Sequence, residues 1–303
     1  MKAFLLAAGH GERLRPLTDI IPKPLAPVMN VPSICYALTL LKEAGVSEVV
    51  CNLHHLGDAI EAFFREHDCF GFDVVFSREE KILGTGGGLA NCREYFQDAP
   101  FIYLNSDMIA DIDLGAVGRA REASGSAGTL VLAPAGAGVG RVTVREERVV
   151  NLRSMLPDEA RPGHDFLGAA VLSPGIFRYL KEGFSDIVEH GFIDLARDGA
   201  LGYYLHDGAW HDIGSMESYR AANMALLGMP AACKRRVRDA TGMDPVALAG
   251  GAVIGRDVVV EGSVIGDGCV IGDGARIARS VLLPGTSLRA GEEAERTVRW
   301  AYV

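Results

Sequence analysis

The sequence lacks long apolar runs, and its cysteines form no pattern that indicates a metal site or a disulfide framework. No stretch approaches the roughly 20 apolar residues that span a bilayer, and the short run after Lys2 is too brief for a signal peptide. The thiols include no CxxC pair, and such scattered cysteines are typical of a reducing compartment. We therefore expect a cytoplasmic protein that does not contact a membrane. The cysteines are Cys35, Cys51, Cys69, Cys92, Cys233 and Cys269.

Positive charge is also scarce, with 30 lysines and arginines against 39 acidic residues and a formal net charge of −9. Proteins that track nucleic-acid phosphates need a basic surface, so the balance predicts no nucleic-acid partner. Small phosphorylated substrates stay open, because a few local cations and a metal ion can hold them. Apolar residues make up 49% of the 303, which is enough for a buried core and excludes disorder. Glycine, at 37 residues, is unusually common.

Residues 1–228 alternate short apolar runs with helical patterns. Predicted strands lie at 3–7, 48–52, 73–77, 101–105, 129–133, 140–144, 167–172 and 202–206. Predicted helices lie at 33–44, 56–66 and 215–227. This alternation favours an α/β fold with a Rossmann-like, mostly parallel sheet and helices on both faces.

Residues 229–248 are predicted to be a linker, because Pro230, Gly242 and Pro245 surround a basic cluster at 234–238 that is typical of a solvated segment. From residue 249 to 303, six-residue blocks follow one another, with an aliphatic third place that only Arg289 breaks and one five-residue block at Val258. Such hexapeptide repeats predict a short left-handed parallel β-helix, with the third-place side chains on its axis and glycines at its corners.

One segment carries most of the chemistry: LLAAGHGERLRPLT at 5–18, followed by IPKPL at 21–25. A buried strand runs into a glycine-rich turn, where bare backbone N–H groups can approach an anion. Arg13, Arg15 and Lys23 follow the turn. The segment is neither a Walker A loop nor a GxGxxG fingerprint, so it predicts a phosphate-binding loop of another kind.

This opening resembles that of the sugar-1-phosphate nucleotidyltransferases, and further family-like segments follow in the family's order. They are ILGTGGGL at 82–89, LNSD at 104–107, FLGAAV at 166–171 and WHDIG at 210–214. Many family members also carry a C-terminal β-helix, so the resemblance covers nearly the whole chain. It implies transfer of a nucleotidyl group from a nucleoside triphosphate (NTP) to a sugar 1-phosphate, with release of pyrophosphate.

The resemblance also implies which residues form the site. Arg13 and Lys23 would act as the catalytic cations, with Arg15 a weaker candidate. Asp107 and Asp212 would hold Mg²⁺, which takes few carboxylates and leaves places for phosphate oxygens. Gly168 would contact the sugar, although close packing explains it nearly as well. Nucleotide or sugar contacts are expected at Leu6, Ala7, Ala8, Gly9, Gly11, Gly86, Gly87 and Gly168.

The chain departs from the family pattern at two places. Glu12 stands where many members have Thr or Ser, and the Glu-Lys-Pro segment near the sugar phosphate is absent, so Arg153 is a candidate replacement for its lysine. The catalytic domain looks most like N-acetylmuramate-1-phosphate uridylyltransferases, whereas the β-helix tail looks more like mannose-1-phosphate guanylyltransferases. The base and the sugar therefore stay open.

Two other functions compete with this interpretation. The β-helix could be an acyltransferase, but those enzymes generally need a histidine base and no histidine follows His211. The chain could instead be a non-catalytic sensor of sugar nucleotides or an assembly subunit, which the intact set of cations and carboxylates disfavours. For the tail we expect self-association into a homo-oligomer, because a few coils leave apolar faces and open ends.

Overall fold

The computed structural model describes residues 1–135, 141–157 and 163–301, so position 140 of a predicted strand and positions 302–303 of the predicted β-helix lie outside them. The chain divides into two compact units. The first contains Met1–His10 and Leu40–Trp210, and the second contains Gly11–Thr39 and His211–Val303. In the described part of the chain, no helix is both long and apolar enough to cross a bilayer.

The predicted strands and helices of residues 1–228 all appear in the predicted order, and the structure adds elements that were not predicted, among them the helices Leu114–Ser124 and Ile193–Arg197. The strands before the β-helix are β1 (Lys2–Leu6), β2 (Pro27–Val28), β3 (Val31–Pro32), β4 (Glu48–Leu53), β5 (Asp73–Arg78), β6 (Phe101–Asn105), β7 (Ile109–Ala110), β8 (Gly128–Pro134), β9 (Val142–Arg145), β10 (Arg148–Leu152), β11 (His164–Leu172), β12 (Leu201–Leu205) and β13 (Trp210–His211). The helices are α1 (Ile34–Glu43), α2 (Gly57–Glu66), α3 (Gly84–Asn91), α4 (Leu114–Ser124), α5 (Ile193–Arg197), α6 (Met216–Leu226) and α7 (Ala231–Thr241).

The first unit is built on a nine-stranded sheet, whose main path has the order β10-β9-β11-β6-β1-β4-β5. Strands β6, β1, β4 and β5 are parallel, as predicted. Strand β11 is antiparallel to β6, β8 and β9, so the sheet as a whole is mixed. The α/β class is therefore confirmed, and parallel pairing occurs in the β6-β1-β4-β5 part that holds the glycine-rich segment and between β8 and β12.

Aromatic packing fills the core of the first unit. Phe4 of β1 and Tyr103 of β6 stack with ring centroids 6.0 Å apart, and Phe96 stacks on Phe101 at 4.4 Å. All four side chains are buried. Since each buried aromatic ring removes a large apolar area from water, this cluster fixes β1 and β6 side by side and with them the loops that follow both strands.

The second unit joins the segment after the glycine turn to the helices and coils near the C-terminus. The predicted linker contains α7, an 11-residue helix whose Val237 and Thr241 are buried. Asn30 donates through Nδ2 to the carbonyls of Val246 (2.9 Å) and Ile265 (3.0 Å). Only Val237 and Thr241 of this helix are buried, so its basic composition resembles that of a solvated linker.

The tail forms a parallel β-helix of three coils. Its strands are β14 (Val253–Ile254), β15 (Val259–Glu261), β16 (Val264–Ile265), β17 (Val270–Ile271), β18 (Arg276–Ala278), β19 (Val281–Leu282), β20 (Ser287–Leu288), β21 (Glu293–Glu295) and β22 (Val298–Arg299). Val253 pairs with Val270 and Val270 with Ser287, so a coil takes 17 residues.

This length corrects the predicted six-residue frame. The five-residue side is not a single interruption at Val258, because it recurs in every coil. The axis therefore takes Leu282 and Leu288, which lie in the buried cluster, whereas the six-residue frame expects Leu283 and the anomalous Arg289. Arg289 follows the axis residue by one position, which removes the apparent break in the pattern.

Candidate active site

The glycine-rich loop begins where β1 ends, and both neighbouring strands anchor its first residues. Ser106, just after β6, donates to the carbonyl of Leu6 through its backbone N–H (3.2 Å) and its hydroxyl (2.7 Å). On the other side, the Ala7 N–H donates to Oδ1 of Asn52, at 2.8 Å, near the end of β4. These hydrogen bonds hold the backbone of Leu6 and Ala7 in place. Of the four residues predicted here to contact the nucleotide or the sugar, which are Leu6, Ala7, Ala8 and Gly9, only Gly9 is exposed.

Asp107 lies two residues beyond β6 and is half-buried. The pKa of the Tyr103 hydroxyl in β6 is raised, first by burial and then by the nearby carboxylates of Asp186 and Asp107. Arg153 forms an ion pair with Asp186, with 3.3 Å between Nη1 and Oδ2. A cation therefore lies beside this acidic cluster, at the residue suggested as a replacement for the absent lysine, and it keeps 43% of its side chain exposed.

Gly168 lies in a bulge of β11 with φ +84°, and a Cβ there would lie only 2.4 Å from Nδ2 of Asn105. The structure thus accounts for Gly168 by close packing, the alternative to its predicted sugar contact. Asn105 itself ends β6, two residues before Asp107. Sequence reasoning missed it, although an asparagine at the carboxyl end of a buried parallel strand is where open α/β sheets place ligands.

The glycine run at 84–88 begins helix α3 rather than a flexible loop. The N–H groups of Gly86 and Gly87 both donate to the carbonyl of Ser185, at 2.8 and 3.3 Å. A Cβ on Gly87 would lie 1.9 Å from the carbonyl oxygen of Gly183. These glycines are required by the approach of the 183–187 segment, and a nucleotide contact at Gly86 and Gly87 stays a prediction.

In the second unit, Gly11 closes the turn that precedes Arg13. Its φ of +65° is left-handed, and a Cβ would lie 2.8 Å from Cγ2 of Thr18 and 3.3 Å from Cβ of Lys23. The Thr18 hydroxyl donates to the Gly11 carbonyl at 2.9 Å. Only glycine combines this backbone conformation with this space, so the turn and Lys23 are positioned together.

Arg13 and Asp212 converge on Gly214. A Cβ on Gly214 would lie 2.7 Å from Nη2 of Arg13 and 2.9 Å from both carboxylate oxygens of Asp212. The Gly214 N–H donates to Oδ1 of Asp212 at 2.9 Å, which fixes the carboxylate. The fold thus brings together two of the predicted functional residues. Arg15 instead pairs with Asp19 at 3.1 Å on the exposed surface.

Among the described residues, no three His, Cys, Asp or Glu side chains gather as a preformed metal cage. Asp107 in the first unit and Asp212 in the second each present carboxylate oxygens, the ligand type that Mg²⁺ prefers, and a Mg²⁺ site can use a single carboxylate with phosphate and water completing the shell. The residues present therefore fit this metal better than a zinc ion, which takes a closed set of nitrogen and sulfur ligands.

Comparison with known proteins shows which enzymes the chain resembles. Residues 2–141 match the model of the nucleotidyl transferase family. A mannose-1-phosphate guanyltransferase from Candida albicans is 30% identical over 75% of this chain and 65% of its own length. An N-acetylmuramate alpha-1-phosphate uridylyltransferase from Neisseria meningitidis serogroup B is 43% identical over 38% of this chain and 51% of its own length.

The fold agrees as well. A solved UDP-glucose pyrophosphorylase from Acinetobacter baumannii superposes with a TM-score of 0.62 at 21% identity, over 76% of this chain and 94% of that one. The chain thus spans less than two thirds of the length of the two curated relatives, while it matches nearly all of the solved one. Residues 2–141 thus match the nucleotidyl transferase family, and the relatives that the chain resembles are sugar-1-phosphate nucleotidyltransferases.

Proposed function

We propose that the protein transfers a nucleotidyl group from an NTP to a sugar 1-phosphate. A phosphate oxygen of the sugar 1-phosphate attacks the α-phosphorus, the bond to the bridging oxygen breaks, and pyrophosphate leaves. Because the nucleophile is already an anion, no general base is needed. The difficulty is the accumulation of negative charge, so positioning and electrostatic stabilisation carry the reaction.

The observation that carries this proposal is the convergence of Arg13 and Asp212 on Gly214. A guanidinium beside a fixed carboxylate is useful where a phosphate and its counter-cation are bound together. In our proposal Arg13 stabilises charge at the α-phosphate, and Lys23, positioned across the turn from Gly11, binds phosphate oxygens. Asp212 would hold Mg²⁺, which would neutralise phosphate charge when bound, and Asp107 is the other ligand that the sequence predicts.

For the substrates, the proposal starts from the two relatives. The uridylyltransferase has the higher identity over a shorter stretch, and the guanyltransferase matches twice as much of the chain. We propose UTP with N-acetylmuramate 1-phosphate as the first pair to test and GTP with mannose 1-phosphate as the second. Arg153 would contact the sugar phosphate, since it supplies a cation beside Asp186 where the family lysine is absent.

The test is pyrophosphate release with GTP, UTP, dTTP, CTP and ATP, each with Mg²⁺ and a panel of sugar 1-phosphates. One pair should turn over. Replacing Arg13 with glutamine should then lower kcat/KM about 100-fold or more, because a cation on the transition-state charge is removed. Arg15→Gln is the matched control and should stay within about twofold, since Arg15 is exposed and pairs with Asp19.

Absence of pyrophosphate release across the whole panel would overturn the proposal. If NTP binding then persisted in a thermal-shift assay, the non-catalytic sensor would be the better interpretation. Consumption of acetyl-CoA would favour the acyltransferase.

We also propose that the β-helix mediates self-association between two copies of this chain. In the first coil, Val253, Val259 and Val260 are 62%, 42% and 44% exposed. Strand β14 lies at the edge of its sheet, and such an edge can pair with the same edge of a second copy across a two-fold axis.

Wild type should sediment as a dimer or larger, and Val253→Asp should dissociate it. Ser287→Asp, in the same column two coils away, should not. A monomeric wild type at micromolar concentration would contradict the proposal.

A further inference from the structure

We propose that Glu79 is a positioning residue for the nucleotide loop and acts through the side chain of Asn52. The proposal rests on the proposed function, because it concerns how that reaction's phosphate loop is held. Neither residue belongs to the glycine-rich segment. The structure nevertheless links both to the first residue beyond β1 and to the residue that precedes the glycine helix α3.

Three hydrogen bonds make up the connection. Oε1 of Glu79 accepts from Nδ2 of Asn52 at 2.7 Å, and Oδ1 of Asn52 accepts from the Ala7 N–H at 2.8 Å. The other carboxylate oxygen, Oε2, accepts from the Leu83 N–H at 2.8 Å. A single carboxylate thus ties the start of the phosphate loop to the start of α3.

The carboxylate also decides which way the Asn52 amide points. A carboxylate only accepts hydrogen bonds, so Asn52 must turn its NH₂ group toward Glu79 and its oxygen toward Ala7. If the amide were flipped, its NH₂ group would face the Ala7 N–H, and a buried donor would lose its partner. Asn52 is 1% exposed and Glu79 is 7% exposed, so no bulk water is available to replace the lost bond.

Close packing makes the connection rigid. A Cβ on Gly88 of α3 would lie 2.7 Å from both Nδ2 of Asn52 and Oε1 of Glu79. The backbone of Glu79 is held as well, since its N–H donates to the carbonyl of Leu53 at 2.8 Å. Because the space is so small, the side chains cannot move apart. Placing a donor instead of an acceptor at position 79 therefore disturbs the hydrogen bond between Asn52 and Ala7.

The test exchanges the hydrogen-bond donor and acceptor between positions 79 and 52. In Glu79→Gln, the new NH₂ group faces either Asn52 Nδ2 or the Leu83 N–H, so two donors oppose each other. In Asn52→Asp, two carboxylates oppose each other. In the double variant, the introduced glutamine donates through its NH₂ group to the introduced aspartate and accepts through its oxygen from the Leu83 N–H. The introduced aspartate also accepts from the Ala7 N–H, so every group is again satisfied.

Steady-state kinetics at pH 8 should separate the two single variants from the double variant. Each single variant should raise KM for the NTP about tenfold and leave KM for the sugar 1-phosphate within about twofold, and the double variant should return to within about threefold of wild type. Glu80→Gln is the matched control, because Glu80 is exposed and lies next in the chain. Hydrogen exchange at Ala7 and Leu83 in the ligand-free protein should rise in each single variant and recover in the double variant.

A purely structural role would be indicated by altered exchange with unchanged KM values, and this outcome would overturn the proposal. Failure of the double variant to recover in a protein that still folds would also overturn it. If wild type itself released no pyrophosphate, the proposed function would be wrong. The positioning role would then be decided by NTP affinity of the same four proteins, measured by calorimetry.

Discussion

Glycine is abundant in both units, but the sheet unit and the β-helix require it for different reasons. In the sheet unit, Gly87 and Gly168 are each pressed against one particular partner far away in the sequence. In the β-helix, the same corner recurs every 17 residues and holds different residues. Gly262, Arg279 and Arg296 occupy one such corner, all with φ +49°.

The β-helix also contains glycines of the other kind. A Cβ on Gly272 would lie 2.4 Å from the backbone nitrogen of Ala290 in the next coil, whereas one on Gly274 would meet nothing within 4 Å. Some coil glycines therefore allow stacking, and others only supply a left-handed corner. Glycine is therefore not required at every corner, because Arg279 and Arg296 adopt the left-handed conformation at a modest cost.

The comparison indicates that steric contact with backbone is more demanding than an unusual φ angle. A clash with a carbonyl has no rotamer that relieves it, whereas a left-handed residue costs only about 1–2 kcal/mol. Substitutions to alanine in the two regions should therefore fall into a ranked series.

The largest effect is expected for Gly87→Ala. Its Cβ would lie 1.9 Å from the Gly183 carbonyl, so α3 and the 183–187 segment must separate. We expect the free energy of unfolding to fall by about 3 kcal/mol or more in urea denaturation. Gly118→Ala in α4 is the control, because nothing lies within 4 Å of its Cβ and alanine favours the helix. Equal effects of the two would contradict the steric account.

An intermediate effect is expected for Gly272→Ala, about 2 kcal/mol. The clash is again with backbone, but the Cβ would lie 2.4 Å from the Ala290 nitrogen and not 1.9 Å as at Gly87, so a smaller shift of the coil relieves it. Hydrogen exchange should therefore rise in the third coil. Gly250→Ala, which meets nothing within 4 Å, should change neither exchange nor stability by a comparable amount.

The smallest effect is expected for Gly274→Ala, about 1 kcal/mol, since only the φ of +70° opposes it. Gly274→Asn should cost less, because asparagine tolerates the left-handed region better. Thermal unfolding of the three proteins checks the order. A loss for Gly274→Ala that matches the loss for Gly272→Ala would show that conformation, and not contact, governs glycine in the coils.

Much of the fold was predictable, because strands, helices and repeats each produce a characteristic spacing of apolar residues over a short stretch of sequence. Strand β6 begins and ends where predicted, and helices α1, α2 and α6 differ from their predicted ends by only one residue or none. Helix α7 was missed, since its basic composition is equally typical of a solvated linker. The 17-residue coil was misread because three sides of 6, 5 and 6 residues look locally like a hexapeptide repeat.

The candidate site was predictable only in part. The cations and carboxylates lie in a recognisable motif, but their partners do not. Nothing around Asp186 indicated a partner for Arg153, and nothing in the spacing linked Glu79 to Asn52. A polar residue inside the buried strand β4 was the one available signal for Asn52.

The sequence by itself determined the order of elements, the repeat character of the tail and the residue types available for phosphate chemistry, because these depend on local periodicity and short motifs. Only the tertiary structure decided that Arg13 and Asp212 both lie beside Gly214, that Gly168 is required by Asn105, and that Glu79 reaches Ala7 through Asn52. Such contacts join residues far apart in the chain. They depend on how the elements pack against one another, which no local pattern records.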